Sequence, residues 1–362
     1  MWRTGPRGYS GTMPRLRRVS PASPGWSRRR SGHGFRYADE RGTPLDAAAV
    51  ERVRGLAIPP AWRDVWICPF PNGHLQATGT DAAGRRQYLY HPAWREVRDR
   101  AKFDRVARAA RRLPAVRRRV AADLALPGMP PERAAALAVR LLDLGAFRIG
   151  NDYYADANGS FGLTTLERTH VRRQDGRLVF RFVGKSGVAH RVEVDDPEAV
   201  AALVAMRRRR GGVRLLGHRV AGGWADLSSA AVNAYLASLF DGEFTAKDFR
   251  TWHATVLAAE SLALTAEHGR TAASRRRAVA RASAEVAAYL GNTPAIAKAS
   301  YIDPRVVDRF EAGETIAVAA RRRYPSPARR RAGLERAVLA LLDGPAGGGG
   351  GSAGGTVGNR TP

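Results

Sequence analysis

Lysine is rare in this basic chain of 362 residues, which makes each lysine a candidate for chemistry. Lys+Arg number 60, but the lysines are only Lys102, Lys185, Lys247 and Lys298. Arginine stays protonated at any useful pH, whereas a lysine in a tuned environment can give up its proton, so a step that needs a cationic acid cannot use arginine. Lys185 lies on a turn flanked by glycines and is the best placed of the four. Spacing alone is equally compatible with a phosphate contact or with no role.

Three other segments carry residues that suit an anionic ligand. Arg148 lies between glycines at the end of a predicted helix, and Arg250 lies in an apolar helical segment. Tyr301 is predicted on a short helix that has a proline at its start. An arginine among apolar residues usually has an anion to meet, because its fork of donors matches carboxylate and phosphate oxygens. Taken singly, each also has an ordinary explanation as a surface arginine or a core tyrosine.

The charge of the chain predicts a polyanionic partner. Lys+Arg 60 against Asp+Glu 33 gives a formal net charge of +27 and a sequence pI near 11.4. Such a surface attracts nucleic acid or an anionic membrane face, and acidic small molecules alone would not need it. Hydrophobic residues make up 44% of the chain, which is enough to build a core. The composition therefore excludes a disordered polybasic protein.

Cysteine and histidine usage predicts neither a disulfide nor a metal site. Cys68 is the single cysteine, and the eight histidines show no metal-ligand spacing. The sequence has no uncharged apolar stretch of about 18 residues, and its start lacks the features of a signal peptide. We therefore expect a soluble cytoplasmic protein without cofactor, metal or membrane contact.

The elements that must position these residues change in character near residue 100. Short strands are predicted at 65–67, 74–78 and 85–90, the last two joined by turn residues at 81–84. Helical spacing predominates later, at 131–147, 197–210, 228–240 and 245–264. Three strands at 165–172, 177–183 and 189–194 interrupt the helices and predict an antiparallel sheet with Lys185 on a hairpin tip. We expect an α+β protein with a small β-rich lobe at 35–100 and a mainly helical lobe at 101–343.

Both ends of the chain have a different composition. Residues 1–34 carry eight arginines and no acidic residue, mixed with serine, glycine and proline, which predicts a disordered basic arm. A misassigned start codon explains that segment equally well. Residues 344–362 are rich in glycine and predict a flexible tail that follows a helix at 334–343.

In combination, these segments resemble the type IB DNA topoisomerases, in the compact poxvirus-like form found in bacteria. The resemblance covers roughly residues 35–325. Its N-terminal motifs, which tyrosine recombinases lack, are Ile58-Pro-Pro-Ala-Trp62, Val65-Trp-Ile-Cys-Pro69, Asn72-Gly-His-Leu-Gln-Ala-Thr-Gly79 and Gly84-Arg-Arg-Gln-Tyr-Leu-Tyr-His91. Its catalytic motifs are Phe147-Arg-Ile-Gly150, Phe182-Val-Gly-Lys-Ser186, Lys247-Asp-Phe-Arg-Thr251 and Ser300-Tyr301.

The resemblance implies a role for each catalytic motif in the relaxation of supercoiled duplex DNA. Tyr301 would attack a backbone phosphate and form a 3′-phosphotyrosyl link. Arg148 and Arg250 would hold the non-bridging oxygens, and Lys185 would protonate the leaving 5′-oxygen. The exchange of one phosphodiester for another needs no ATP, and the sequence has no phosphate-binding G-x-x-x-x-G-K-[ST] loop and no carboxylate cluster. We expect a monomer that associates with the nucleoid.

The sequence departs from its poxviral and eukaryotic relatives at one catalytic position. Those relatives have a histidine nine residues before the tyrosine, and this chain has Asn292 there. An amide can donate a hydrogen bond to a phosphate oxygen, but it brings no charge. His253, one helical turn after Arg250, is an alternative source of an imidazole or else a packing residue.

The resemblance also implies DNA contacts in the β-rich lobe, at Gln87, Tyr88 and Tyr90. A glutamine amide can pair with adenine, and a tyrosine can bond a phosphate or pack on a sugar. Tyr88 and Tyr90 share one face of the predicted strand, although one of them could instead belong to the core. Arg85 and Arg86 are predicted phosphate contacts.

Two alternative functions stay open on the sequence. A tyrosine site-specific recombinase uses a similar catalytic set, but it normally has a histidine at the position of Lys247. A non-catalytic basic DNA-binding protein would bind DNA with a steep salt dependence and leave its topology unchanged.

Overall fold

The chain forms two compact units in a computed structural model, and the structure describes residues 15–145, 147–150, 159–265 and 271–344. Unit 1 is Met1–Lys102 and unit 2 is Phe103–Pro362. The boundary lies close to residue 100, where the sequence pattern changes. The predicted arm before residue 15 and the predicted tail after residue 344 lie outside the described residues.

Unit 1 is built on an antiparallel sheet of five strands. They are β1 (Trp26–Ser31), β2 (Gly34–Ala38), β3 (Arg63–Ile67), β4 (Leu75–Thr80) and β5 (Arg86–Tyr90), in the order β2-β1-β3-β4-β5. Helix α1 (Ala47–Gly55) follows β2, and helix α2 (Pro92–Ala110) follows β5 and contains the boundary between the units. The alternation of side chains gives the sheet one apolar face, which packs with Val53 of α1 and Ile58.

The strand β1 corrects the prediction for residues 1–34. Composition predicted disorder there, but Trp26–Ser31 pairs with both β2 and β3. The reason is tertiary: Trp26 packs against the core of unit 1, and the guanidinium of Arg28 donates to the carbonyl oxygens of Ile58, Pro59 and Trp62. Those partners are more than 29 residues away, so local composition does not reveal them.

Unit 2 is mainly helical. Its helices are α3 (Leu113–Leu124), α4 (Pro131–Leu144), α5 (Pro197–Arg207), α6 (Ser229–Phe240), α7 (Ala246–Thr265), α8 (Ala272–Leu290), α9 (Pro294–Ser300), α10 (Pro304–Glu311), α11 (Ala317–Arg321) and α12 (Pro327–Asp343). α7 lies at the centre, and its large side chains Phe249 and Trp252 are fully buried. None of the described helices combines the length and the apolar composition that a membrane span requires.

A three-stranded antiparallel sheet interrupts the helices, as the sequence predicts. Its strands are β6 (Val171–Gln174), β7 (Arg177–Val183) and β8 (Ala189–Val194), and a separate hairpin contains β9 (Gly217–Val220) and β10 (Gly223–Asp226). The predicted strand at 165–172 is wrong over most of its length, since Leu163–Thr165 and Arg168–His170 form short 3-10 turns. The Thr165 hydroxyl bonds back to the backbone of Gly162, and this local bond competes with an extended conformation.

Charged residues bind the C-terminal helix α12 to α3 and α4 inside unit 2. The guanidinium of Arg117 donates to Asp143 at 2.8 and 2.9 Å and to Glu335 at 2.6 and 2.7 Å. Asp143 is 4% exposed and Glu335 is 6% exposed. Burial opposes ionisation of Asp143, but the bonds and positive charges around it outweigh burial and hold its pKa well below the usual range.

Candidate active site

Arg148 lies in a tight loop directly after α4. The backbone N–H of Leu163 donates to the Arg148 carbonyl at 2.8 Å, so the loop is held against the following turn. Gly150 has a φ of +95°, and a Cβ on Gly162 would lie 2.4 Å from the Gly150 Cα. Only glycine permits this crossing of two backbones, which fixes the place of the arginine between them.

The Arg148 side chain meets the loop after α8. Its Nη2 donates to the Asn292 Oδ1 at 2.9 Å and lies 3.4 Å from the Gly291 carbonyl oxygen. The Arg148 Nε and the Asn292 Nδ2 are buried donors that have no acceptor among the described residues. An unmet buried donor is costly, so this pair points to an acceptor supplied by a ligand.

Arg250 lies on the first half of α7 and is 3% exposed. Its Nη2 donates to the Leu290 carbonyl oxygen at 2.7 Å, at the end of the helix that leads to Asn292. Burial and the neighbouring charge of Arg148 lower the pKa of Arg250 to about 10, so the guanidinium is still positive at neutral pH. Two positive groups held this close favour binding of an anion between or beside them.

Tyr301 lies directly after the short helix α9 and is 8% exposed. The guanidinium carbon of Arg250 is 5.6 Å from the centre of its ring, and the Arg250 side chain also hydrogen-bonds the Tyr301 hydroxyl. Burial alone would raise the pKa of Tyr301. The positive charges of Arg250, Arg148 and Lys247 outweigh burial, so the pKa of the phenol lies below its usual value. A lowered pKa favours the phenolate, which is the nucleophilic form.

Lys185 lies on the tip of the β7–β8 hairpin, as the sequence predicts. Lys185–Gly187 forms a 3-10 turn, closed by a hydrogen bond from the Gly184 N–H to the Val188 carbonyl at 2.8 Å. The Lys185 side chain is exposed and makes no ion pair with the described residues. It is therefore available to a ligand at the hairpin.

His253 does not join this cluster. Its Nδ1 lies 3.4 Å from the Tyr289 hydroxyl, and its Nε2 lies 3.6 Å from the Asp143 Oδ1, within the buried charged group that binds α12. Asn292, by contrast, bonds Arg148 directly. The structure thus brings Asn292 to Arg148 and leaves His253 among the charged residues that bind α12.

Sequence analysis missed one imidazole at the site. His190 lies on β8, and a Cβ on Gly184 or on Gly291 would come within 2.7 Å of its ring. Burial and the charges of Arg148 and Arg250 lower the pKa of His190, so the ring is neutral at physiological pH. The only local signal was a histidine five residues after Lys185 on an adjoining strand.

The β-rich unit presents a separate candidate DNA surface. Tyr88 and Tyr90 lie on the open face of the sheet, Tyr88 is 49% exposed, and their rings stack at 6.2 Å. The register places Tyr88 opposite Thr78 and Leu89 opposite Ala77, so the tyrosines face away from the core. The prediction that the two tyrosines share a face agrees with this register.

The other residues predicted in that unit are placed differently from the tyrosines. Arg86 shares the open face and donates to Thr78 Oγ1. Gln87 has the opposite orientation, with its amide 2.8 Å from the Asp81 carboxylate. Arg85 also bonds Asp81, and its hydrogen bonds lower the pKa of that carboxyl to about 2. Gln87 and Arg85 therefore stabilise the β4–β5 turn in the structure.

The open face extends to β2 and to β1, the strand that lies within the predicted arm. Arg29 on β1 lies directly opposite Arg36 on β2, and both are exposed. Across the sheet, Tyr88 pairs with Thr78, Thr78 with Trp66 and Trp66 with Ser27, and paired residues point to the same face. Arg29 lies two residues after Ser27 on β1, so Arg29 and its partner Arg36 lie on the tyrosine side of the sheet. Neither has an acidic partner among the described residues, although like charges directly opposite are destabilising. We call Tyr88, Tyr90, Arg86, Arg29 and Arg36 the open-face patch.

No group of three or more His, Cys, Asp or Glu side chains suited to a metal ion occurs in the part of the chain that the structure describes. The groups around Tyr301 are cationic or neutral instead, namely Arg148, Arg250, Lys247 and Asn292. Such a set is suited to stabilise negative charge on phosphate oxygens.

Comparison with known proteins identifies the chain with one family over most of its length. The model of the family described as eukaryotic DNA topoisomerase I, catalytic core, matches residues 91–317. A second model, described as bacterial DNA topoisomerase IB, N-terminal domain, matches residues 34–81. Together the two matches include both the cluster around Tyr301 and most of the strands of unit 1.

Two curated relatives carry related names. DNA topoisomerase 1B of Acanthamoeba polyphaga mimivirus is 28% identical over 284 residues, which cover 76% of this chain and 84% of the relative. DNA topoisomerase 1 of Schizosaccharomyces pombe is 33% identical over 135 residues, which cover 36% of this chain but only 16% of that relative. Since the catalytic-core match spans more than half of the chain, the protein belongs to the DNA topoisomerase I family and is a type IB enzyme that relaxes DNA.

Proposed function

We propose that the enzyme relaxes DNA through a covalent tyrosine intermediate. The Tyr301 oxygen attacks a backbone phosphorus, an O–P bond forms to the tyrosine, and the bond from phosphorus to the 5′-oxygen breaks. The phenolic proton passes to solvent water as the new bond forms, and Lys185 gives a proton to the departing 5′-oxygen. The products are a 3′-phosphotyrosyl strand and a free 5′-hydroxyl, and the reverse attack reseals the strand.

The observation that carries this proposal is the pair of buried, unmet donors at Arg148 Nε and Asn292 Nδ2. They lie in the same cluster as Arg250 and the acidified Tyr301 hydroxyl. A phosphate with negative charge developing on its non-bridging oxygens supplies the acceptors that these donors lack. Asn292 would donate a neutral hydrogen bond at the position where relatives have histidine.

No nucleotide hydrolysis and no metal enters this scheme. One phosphodiester replaces another, so the reaction is near balance and can run in both directions. The charge that a metal would offset is offset by Arg148, Arg250 and Lys185 instead.

We also propose that one chain carries the whole activity and stays with the nucleoid. Tyr301, Arg148, Arg250 and Asn292 all come from unit 2 of a single chain, which favours a monomer. The net charge of +27 favours retention on DNA at physiological salt. Sedimentation of the free enzyme at micromolar concentration tests the first point, because a dimer there would contradict it.

A plasmid relaxation assay tests the proposed mechanism. Supercoiled plasmid is incubated without ATP and with EDTA, with wild type or Tyr301→Phe. We expect relaxation by the wild type and none by the variant. Relaxation by both proteins would remove Tyr301 as the nucleophile, and a requirement for added Mg²⁺ or ATP would contradict the scheme. Binding without relaxation by either protein would favour the non-catalytic alternative.

A further inference from the structure

His190 occupies a specific place in the active-site packing. It lies on β8 opposite Phe182 of β7, and its ring stacks on the Phe182 ring at 5.2 Å with an interplanar angle of 17°. Phe182 stacks in turn on Phe147 at 6.1 Å. Phe147 directly precedes Arg148, so this aromatic stack runs from the base of the Arg148 loop to the imidazole.

The imidazole also fills the gap between two backbone segments. A Cβ on Gly184 would lie 2.6 Å from the His190 Cδ2, and a Cβ on Gly291 would lie 2.5 Å from its Cε1. Gly184 directly precedes Lys185, and Gly291 directly precedes Asn292. The two segments meet the ring closely only because both residues lack a side chain.

The ring contributes its shape to the site, and neither a charge nor a hydrogen bond within the described part of the chain. It makes no hydrogen bond to another described residue. Burial and the positive charges of Arg148 and Arg250 lower its pKa, so it brings no charge of its own to the site. What it contributes is a flat, rigid body between the hairpin and the loop.

We propose that His190 is a positioning residue, which sets the distance of the Lys185 hairpin from the segment that carries Asn292 and receives Arg148. The inference rests on the proposed function, in which Lys185 acts as the acid. Without the ring, the hairpin can move toward the gap and Lys185 loses its alignment with the leaving oxygen. A misplacement of about 1 Å can slow a reaction by about 10²-fold.

Sulfur substitution in the DNA distinguishes this role from general damage. A 5′-bridging phosphorothiolate has a leaving group that needs no proton, so it bypasses the acid but not the phosphate-binding groups. Single-turnover cleavage is measured on the oxygen and sulfur substrates with wild type, His190→Ala, Lys185→Ala and Arg148→Ala. We expect the first two variants to be slow on oxygen and restored to near the wild-type rate on sulfur, whereas Arg148→Ala is slow on both.

Further variants guard against misfolding. His190→Phe keeps a stacked ring and should retain most of the cleavage rate on the oxygen substrate. Gly184→Ala crowds the ring from the hairpin side and should show the same restoration by sulfur as His190→Ala. Val192→Ala shortens another side chain on the same strand and face, away from both glycines, and should show no difference between the substrates.

Each result decides a separate point. If Lys185→Ala is restored by sulfur but His190→Ala and Gly184→Ala are not, His190 does not act through Lys185 and the inference is wrong. Wild-type cleavage by His190→Ala on oxygen would also overturn it. If Lys185→Ala itself is not restored, the acid assignment fails, and the role of His190 fails with it.

Discussion

The arginines of the open-face patch in unit 1 and those of the candidate active site in unit 2 differ in burial. In unit 1, Arg29 and Arg36 stand exposed on the open face of a sheet beside stacked tyrosines. In unit 2, Arg250 is 3% exposed, and Arg148 has a buried Nε with no acceptor in the described residues. Salt screens the attraction between an exposed guanidinium and phosphate. The interaction of a buried guanidinium with a phosphate is screened less, and it becomes stronger as negative charge develops on the phosphate oxygens. Under the proposed function, burial distinguishes the arginines that would bind DNA from those that would act on its phosphate.

The largest expected effect is the loss of the nucleophile. Tyr301→Phe should abolish covalent attachment to DNA and leave DNA affinity nearly unchanged, because only the hydroxyl is lost. Covalent complexes on a denaturing gel measure the first, and equilibrium binding measures the second. Tyr289→Phe, which changes a tyrosine that contacts His253, is the matched control and should still form the complex. An equal loss of binding in Tyr301→Phe would contradict the assignment.

Loss of a buried arginine should slow cleavage strongly. We expect Arg148→Ala and Arg250→Ala each to lower the single-turnover rate at saturating enzyme by about 10²–10³-fold, the typical value for a lost donor to a developing oxyanion. Arg86→Ala on the open face should change affinity and not this rate. A similar fall in rate for Arg86→Ala would break the distinction between the units.

A buried carboxylate should contribute more to the free energy of unfolding than an exposed one. Asp143→Ala leaves Arg117 buried without one of its partners, and we expect it to lower the free energy of unfolding by about 3–5 kcal/mol. Glu96→Ala removes an exposed partner of Arg100 on α2 and should have little effect. Denaturant unfolding of both variants measures the difference, and equal losses would contradict it.

The pH dependence of cleavage should report the charge around Tyr301. The positive charges of Arg250, Arg148 and Lys247 hold the Tyr301 pKa below its usual value against the effect of burial. Removing the charge nearest the ring, in Arg250→Gln, raises that pKa. The limb of the rate profile that rises with tyrosine ionisation should then move to higher pH. An unshifted limb would mean that Arg250 does not tune the nucleophile.

The smallest expected effect lies on the open-face patch. Replacing Arg29 and Arg36 together by glutamine should lower the slope of log affinity against log salt by about 1.8, since each phosphate contact contributes about 0.9. Arg30→Gln is the matched control, because Arg30 is exposed on β1 but faces the other side of the sheet. An unchanged slope in the double variant, or an equal change in the control, would remove the arginines from the DNA surface.

Local pattern predicted most of the elements that carry the site. Helical spacing located α4, α5, α6 and α7, and turn residues located the β7–β8 hairpin with Lys185 at its tip. Those features depend on periodicity and on glycine, which a single sequence displays. The proline at 294 likewise marks the start of α9, the short helix before Tyr301.

Contacts between distant residues were not predictable in that way. β1 is a strand because Trp26 and Arg28 find partners in the core of unit 1, although its composition is that of a disordered segment. The residues at 165–170 turn because Thr165 bonds back to Gly162. The position of His190 at the site depends on the close packing of its ring against Gly291, which is distant in the sequence. Each depends on tertiary packing that overrides local preference.

Tyr301 is anchored through its backbone as well as placed by its side chain. Its N–H bonds the Ala297 carbonyl at 3.0 Å, and its carbonyl oxygen lies 3.2 Å from the buried hydroxyl of Thr255 on α7. In mechanical terms, a DNA strand joined to this tyrosine would be attached to an immobile part of the helical core. Torque in the duplex would then turn the free end relative to a stationary one, and the stationary end would be in place for rejoining when the free end returned.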